Sequence, residues 1–319
     1  MSNRTDTTAP ADTGTADAAD GPTPADAPGD PAPTATPAGV PGDPTPAAGP
    51  KSCTSTALAG TDADAPGTTG PTRRWPRRLA IAFAAIVTAA FVAVAAFLVY
   101  ASDYYRAGSE AQASLTPTAE VPVEQSTRYL AFGDPAAQTG IVFYPGAKVE
   151  YLAYAPLMRD LAERGYLAVV VEMPFNFAFF DIAAADGVRA AYPQVERWWV
   201  GGHSLGGSMA AQYAADHADD AALAGLALLG AYSTSDLSAC DLDAVVIYGQ
   251  NDQVLNRDKL ENNAPLLPEG ALAMEIAGGN HAGFGDYGPQ EGDGEAGIAP
   301  QEQQEQAADA LASRMAQAA

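Results

Sequence analysis

Ser204 sits between glycines in the stretch WVGGHSLGGSM, residues 199–209. Gly202-His203-Ser204-Leu205-Gly206 fits the pattern G-x-S-x-G, in which a serine occupies a sharp turn between a strand and a helix. The residues two places to either side must be small, because a Cβ there would strike the strand or the helix. Such a turn lifts Oγ above the sheet edge and leaves the backbone N–H of Leu205 at a helix N-terminus, where it can hold an oxyanion. Glycine and serine are common in ordinary turns. Here the apolar run RWWV precedes the pentapeptide and a helix-forming run follows it, which is the context a nucleophile requires.

A serine hydroxyl needs a base, and the chain has three histidines. His203 is adjacent in sequence, and its side chain is expected to point away from Ser204 around the turn. His217 falls near the end of the next helix, three turns from Oγ. His281 lies in AGGNHAGFGDYG, a glycine-rich loop straight after the last predicted strand, where a base reaches back over the carboxyl edge of a sheet. The imidazole in turn needs an acid to orient it. Asp252 follows the strand in VVIYGQNDQVLN and lies between the serine and the histidine in chain order. Asp241 and Asp243 precede that strand, at its wrong end, and Asp258 belongs to the next helix. A second oxyanion donor should come from the loop after an earlier strand. In FYPGAKVE, residues 143–150, Gly146 permits a tight turn and Ala147 supplies the candidate N–H; an ordinary Pro-Gly turn is the alternative.

The elements that must hold these residues alternate. Residues 128–132, 140–145, 166–174, 196–202, 223–232, 242–250 and 271–279 read as strands. Residues 150–165, 205–218 and 301–317 read as helices, the first closed by Gly165. This alternation predicts an α/β fold with a mostly parallel central sheet flanked by helices, in one domain over residues 127–319.

What precedes that domain is different material. Residues 1–72 are rich in Ala, Pro, Thr, Gly and Asp and lack the large apolar side chains that could offset chain entropy, so a disordered tail is expected. RRWPRR follows, and then an uncharged run of 22 residues, 79–100. As a helix it extends roughly 33 Å, enough for a bilayer core of about 30 Å. Trp75 and Tyr100 stand where interfacial aromatics are expected, and the arginine cluster on the N-terminal side predicts a single-pass protein of the cell membrane with its tail cytoplasmic and its catalytic domain extracellular. A cleaved signal peptide ending near Ala101 is the competing reading, disfavoured by the 78 residues that precede the run. Residues 101–126 read as a polar stalk, in which Pro117 and Pro122 argue against one continuous helix.

The net charge is −23, and residues 111–319 hold 28 acidic against nine basic side chains. Such a domain is repelled by phosphate backbones, so nucleic acid is excluded as a partner and the membrane is met through residues 79–100. The two cysteines, Cys53 and Cys240, fall on opposite sides of the expected membrane and build neither a disulfide framework nor a thiolate metal site. Cys240 reads as a small buried residue.

With GGHSLGG, YGQND and GGNHAGFG in order after successive strands, the chain from about Arg128 onward resembles the α/β-hydrolase superfamily. Residues 143–180 are similar to a compact, dienelactone-hydrolase-like group of bacterial members. The resemblance implies the α/β-hydrolase fold, a triad of Ser204, His281 and Asp252, and acyl-enzyme chemistry on an ester or related acyl bond without metal or organic cofactor. Pro145 departs from the histidine that many lipases and esterases carry before the oxyanion glycine. The aromatic stretch MPFNFAFFD is expected near the active-site edge, with Phe175 and Phe177, together with Phe179 and Phe180, either lining an acyl pocket or packing on the sheet. No long insertion suggests a large lid, although residues 186–192 are long enough for a small one. A modest open pocket for a small acyl or ester substrate is expected. Two other readings stand beside the hydrolase: an envelope acyltransferase on the same fold, and an inactive membrane-tethered binding module.

Overall fold

The computed structural model describes residues 76–317. The expected tail 1–72, Cys53, the first arginines of the basic cluster and Trp75 lie outside them.

The apolar run forms one helix, α1 (Arg77–Ser102), in which only Ala101 is buried. A short helix α2 (Ser109–Ser114) and a short strand β1 (Val123–Gln125) follow. The strands β2 (Tyr129–Phe132), β3 (Thr139–Tyr144) and β4 (Leu167–Val171) enclose α3 (Ala155–Glu163), which a 3₁₀ turn at Tyr151–Tyr154 leads into. Helix α4 (Ala184–Ala191) precedes β5 (Arg197–His203), and α5 (Leu205–Asp216) comes straight after it. The chain then runs through β6 (Leu223–Leu229), β7 (Asp243–Gly249), α6 (Arg257–Asn263), β8 (Leu272–Ile276) and α7 (Pro300–Gln317).

The sheet order is β1-β2-β4-β3-β5-β6-β7-β8. From β4 to β8 all neighbours are parallel, and β1 and β2 close one edge antiparallel. This is the mostly parallel sheet that the alternating runs predict. Strands buried on both faces need continuous apolar sequence, and LAVVV of β4 is buried at every position. Two apolar layers result. One packs α3 and α7 on one face around Phe143, Tyr154, Leu157 and Leu311. The other packs α4 and α5 on the opposite face around Tyr144, Trp198, Val200 and Tyr213.

Two stretches differ from their sequence reading. Residues 101–126, expected as a stalk, carry α2 and β1 and are tied to the domain. Tyr105 bridges Val149 in parallel register, and Val123–Gln125 pairs with Leu130–Phe132. Three residues of strand are too few for periodicity to register in sequence. The 186–192 stretch lies largely in α4, whose Ala185 and Val188 are buried in the core, so it is a packing element rather than a lid. Cys240 is half-buried rather than fully buried.

Candidate active site

Every candidate residue except His217 and the competing aspartates lies at the carboxyl edge of the parallel strands. Ala147 follows β3, Phe175 and Phe177 follow β4, Ser204 follows β5, Asp252 follows β7 and His281 follows β8. Because the central order is β3-β5-β6-β7-β8, the serine stands with the 145–150 loop on one side and the acid and histidine loops on the other.

Ser204 has φ 55° and ψ −124°, a backbone conformation that non-glycine residues rarely adopt. Its N–H is held by the Leu229 carbonyl at 2.9 Å, so β6 supports the strained turn. The small neighbours are required. A Cβ on Gly202 would approach the Tyr144 carbonyl oxygen to 2.6 Å, and one on Gly206 would collide with the carbonyls of Tyr144 and Pro145. The side chain of Ser204 is half-buried and lines a cavity of about 240 Å³ together with Leu205, Ser208, Tyr232, Val254 and His281.

His281 is 1 % exposed. Its Nδ1 meets Asp252 Oδ2 at 2.8 Å. The other carboxylate oxygen of Asp252 accepts the N–H groups of Val254 and Leu255 at 2.9 and 2.7 Å. With the carboxylate ionised, Nδ1–H donates to it, which leaves His281 Nε2 a lone pair. That Nε2 is buried and has no hydrogen-bond partner. The histidine loop is pinned from α7: Gln303 accepts from the Asn280 N–H and donates to the Asn280 carbonyl, and Gln304 donates to the Gly283 carbonyl. Asp293 accepts the Ala282 N–H. These supports escape sequence reading, because a glutamine in a polar-looking helix gives no sign of being buried.

The other side of the serine is built differently. Tyr154 Oη accepts the Gly146 N–H at 3.0 Å and lies 2.8 Å from His203 Nδ1. His203 does not point to solvent. It is 1 % exposed, and its ring centroid lies 4.4 Å from that of His281. Burial holds its pKa well below the ordinary histidine value, the neighbouring His281 adds to the fall, and the His281 carbonyl opposes it. His203 is therefore neutral, and with Tyr154 donating to Nδ1 its proton resides on Nε2. Burial raises the Tyr154 hydroxyl far above its ordinary range, so it remains a donor at any working pH.

Among the described residues no acceptor takes the N–H of Ala147 or of Leu205. Ala147 follows the tethered Gly146 and precedes Lys148, whose φ is 58° and whose N–H donates to the Asn176 carbonyl at 2.8 Å. Leu205 lines the cavity at Ser204, and Ala147 does not. Phe175 and Phe177 are also absent from that lining. They pack on the end of α1 instead, Phe175 at 5.5 Å from Phe97 and Phe177 stacked at 6.2 Å on Tyr100. His217 caps α5 and stacks on Tyr213, while Asp243 pairs with Arg314 at the amino end of β7.

Residues 140–305 match the model of the alpha/beta hydrolase family, a span that includes Ala147, Ser204, Asp252 and His281. The chain belongs to the α/β-hydrolase family. Solved structures similar to this α/β-hydrolase include a CIB-like hydrolase from Thermoplasma acidophilum, at 13 % identity and a TM-score of 0.46 over 60 % of this chain and 99 % of that one. A protein of unknown function from Agrobacterium tumefaciens, described as an α/β hydrolase, aligns at 17 % identity and 0.45 over 62 % and 97 %. An esterase variant aligns at 18 % identity and 0.48 over 64 % and 87 %. Comparison with curated proteins gives no match.

Proposed function

We propose that this α/β-hydrolase is a membrane-anchored serine hydrolase that cleaves an ester-type acyl bond through Ser204, His281 and Asp252. The observation that carries the reading is the pairing of a strained serine with a buried Asp–His couple whose histidine lines the serine's cavity and whose Nε2 has no hydrogen-bond partner. His281 Nε2 takes the Ser204 proton as Oγ bonds to the acyl carbon. The N–H groups of Leu205 and Ala147 receive the oxyanion. Collapse breaks the ester C–O bond, and the imidazolium returns the proton to the leaving alkoxide. Water, deprotonated by the same nitrogen, then releases the acid and restores Ser204. Asp252 keeps the imidazole in the required tautomer throughout. The small cavity favours short acyl groups. Helix α1 is long and apolar enough to cross a membrane, and with Arg77 and Arg78 at its start we assign the tail to the cytoplasm and the catalytic domain to the outside.

Fluorophosphonate labelling of the full-length protein, mapped by peptide mass spectrometry, tests the chemistry. Labelling at Ser204 that disappears in Ser204→Ala and falls sharply in His281→Ala is the expected result. No labelling of a folded protein would overturn it and favour a tethered binding module. Protease protection in sealed vesicles checks the orientation.

A further inference from the structure

Among the described residues, large apolar side chains left exposed outside α1 are few: Phe175, Phe179, Phe180, Val254 and Leu272. The first four lie beyond the carboxyl ends of β4 and β7, on the edge of the sheet that carries Ser204, Asp252 and His281. Phe175, Phe179 and Phe180 are each 46–49 % exposed and form one cluster, with ring centroids 5.4 Å apart for Phe175–Phe180 and 4.5 Å for Phe179–Phe180. That cluster is continuous with α1, because Phe97 meets Phe175 at 5.5 Å and Phe180 at 5.7 Å.

Phe97 stands one turn before Tyr100, inside the apolar run, so Phe175 and Phe180 meet α1 within its apolar length rather than beyond its end. Apolar faces that dip to about 5–10 Å are the mark of segments resting in the headgroup and upper acyl region. The patch is also joined to the loop that carries Ala147, since the Asn176 carbonyl of the same turn accepts the Lys148 N–H. The Ser204 cavity, at about 240 Å³, falls below the roughly 300–1,000 Å³ of pockets that enclose a whole ligand. It has room for a short acyl group, so the rest of an ester would extend out of it at the sheet edge that also carries the patch.

We infer that Phe175, Phe179 and Phe180 seat the active-site edge in the membrane interface, and that the substrate is a short acyl ester of an amphiphilic alcohol held in the bilayer. This rests on the serine-esterase and membrane-span readings above. Hydrolysis breaks the acyl C–O bond and adds one water. The protonated alcohol stays in the bilayer, and the short acid leaves as carboxylate and a proton into the aqueous phase.

The full-length protein in phosphatidylcholine vesicles is given hexadecyl acetate in the vesicles and nitrophenyl acetate in water. In Phe179→Ser/Phe180→Ser the ratio of the vesicle rate to the aqueous rate is expected to fall about tenfold. An unchanged ratio overturns the inference and leaves Ser204 chemistry standing. Failure of the parent protein on both esters overturns the esterase reading itself. Seating is read independently of activity in Phe179→Trp: brominated phosphatidylcholine should quench the added tryptophan emission relative to the parent. Absence of that extra quenching, as a protein-docking patch would give, overturns the membrane seating.

Discussion

The two flanks of Ser204 are held by different means. On the β7–β8 flank, Asp252 and His281 are locked by side-chain bonds inside the domain, with Gln303 and Gln304 of α7 fixing the loop. On the β3–β4 flank, the 145–150 loop is held by backbone bonds to segments that precede the domain or follow β4. Tyr105 donates to the Lys148 carbonyl at 2.7 Å and accepts from the Glu150 N–H at 2.9 Å, and Glu150 accepts from the Ala107 N–H. On the β7–β8 flank, which carries the candidate base, the Asp252–His281 couple and its glutamine supports are thus held within the domain, whereas the 145–150 loop and the outer turn of the histidine loop at Asp286 and Tyr287 are both braced by the segment that leads out of α1. A chemical group whose tautomer matters is buried with its partner. A group that only presents backbone N–H can be braced from outside.

The base flank gives the largest expected effect. Asp252→Asn keeps an oxygen for Val254 and Leu255 but turns an amide toward His281 Nδ1, favouring the wrong tautomer. We expect kcat to fall about 10⁴-fold with little change in thermal stability. Steady-state kinetics beside a melting curve check this, and a loss of less than tenfold would separate the Asp–His couple from the chemistry.

The β3–β4 flank should respond to a cut that leaves Asp252, His281 and their glutamine supports in place. A chain beginning at Asp103 keeps the Tyr105 bridge, and one beginning at Ser109 loses it along with the Tyr105–Tyr287 contact at 5.5 Å. Misplacing one oxyanion donor costs about 10²-fold, so the shorter chain should show a kcat on nitrophenyl acetate up to about 10²-fold lower. Equal activity of the two fragments would end the claim that the leading segment braces this loop. A smaller effect is expected within the flank. Tyr154→Phe strips the acceptor from the Gly146 N–H and the donor from His203, leaving buried polar groups unpaired at a cost of about 1–3 kcal/mol in stability. Chemical denaturation measures it, and kcat should fall by about tenfold through the loosened Gly146–Ala147 turn.

The same contrast explains what was legible in the sequence. The parallel sheet and the stations of Ser204, Asp252 and His281 follow from apolar runs, glycines and chain order, all local signals. The supports do not. Tyr154 reads as one more aromatic in an amphipathic run, and it lies 49 residues from His203. His203 reads as an outward residue because the turn geometry says where the serine goes and nothing about what fills the space behind it. The phenylalanines after β4 are legible as belonging to the active-site edge. Their packing against α1 is not, because it depends on where a helix from another part of the chain is placed.

His203 is where the two flanks meet, since it bonds to Tyr154 on one side and faces the His281 ring on the other. Its pKa in the folded protein lies well below the ordinary 6.5, and burial is the leading cause. In the unfolded chain it takes a proton as pH falls through that value, while in the fold it stays neutral. The unfolded state then binds more protons, so the stability that neutral His203 contributes is present above pH 6.5 and is lost as pH falls toward the depressed value. Between those limits the slope is up to about 1.4 kcal/mol per pH unit. In His203→Asn, which can still accept from Tyr154, that proton is absent. Urea unfolding at pH 7.5 and at pH 5.5 should show the wild type losing more stability than the variant between the two. Parallel losses would mean that His203 reaches solvent and takes up its proton in the fold, and the two flanks would then be joined by something other than a dry imidazole.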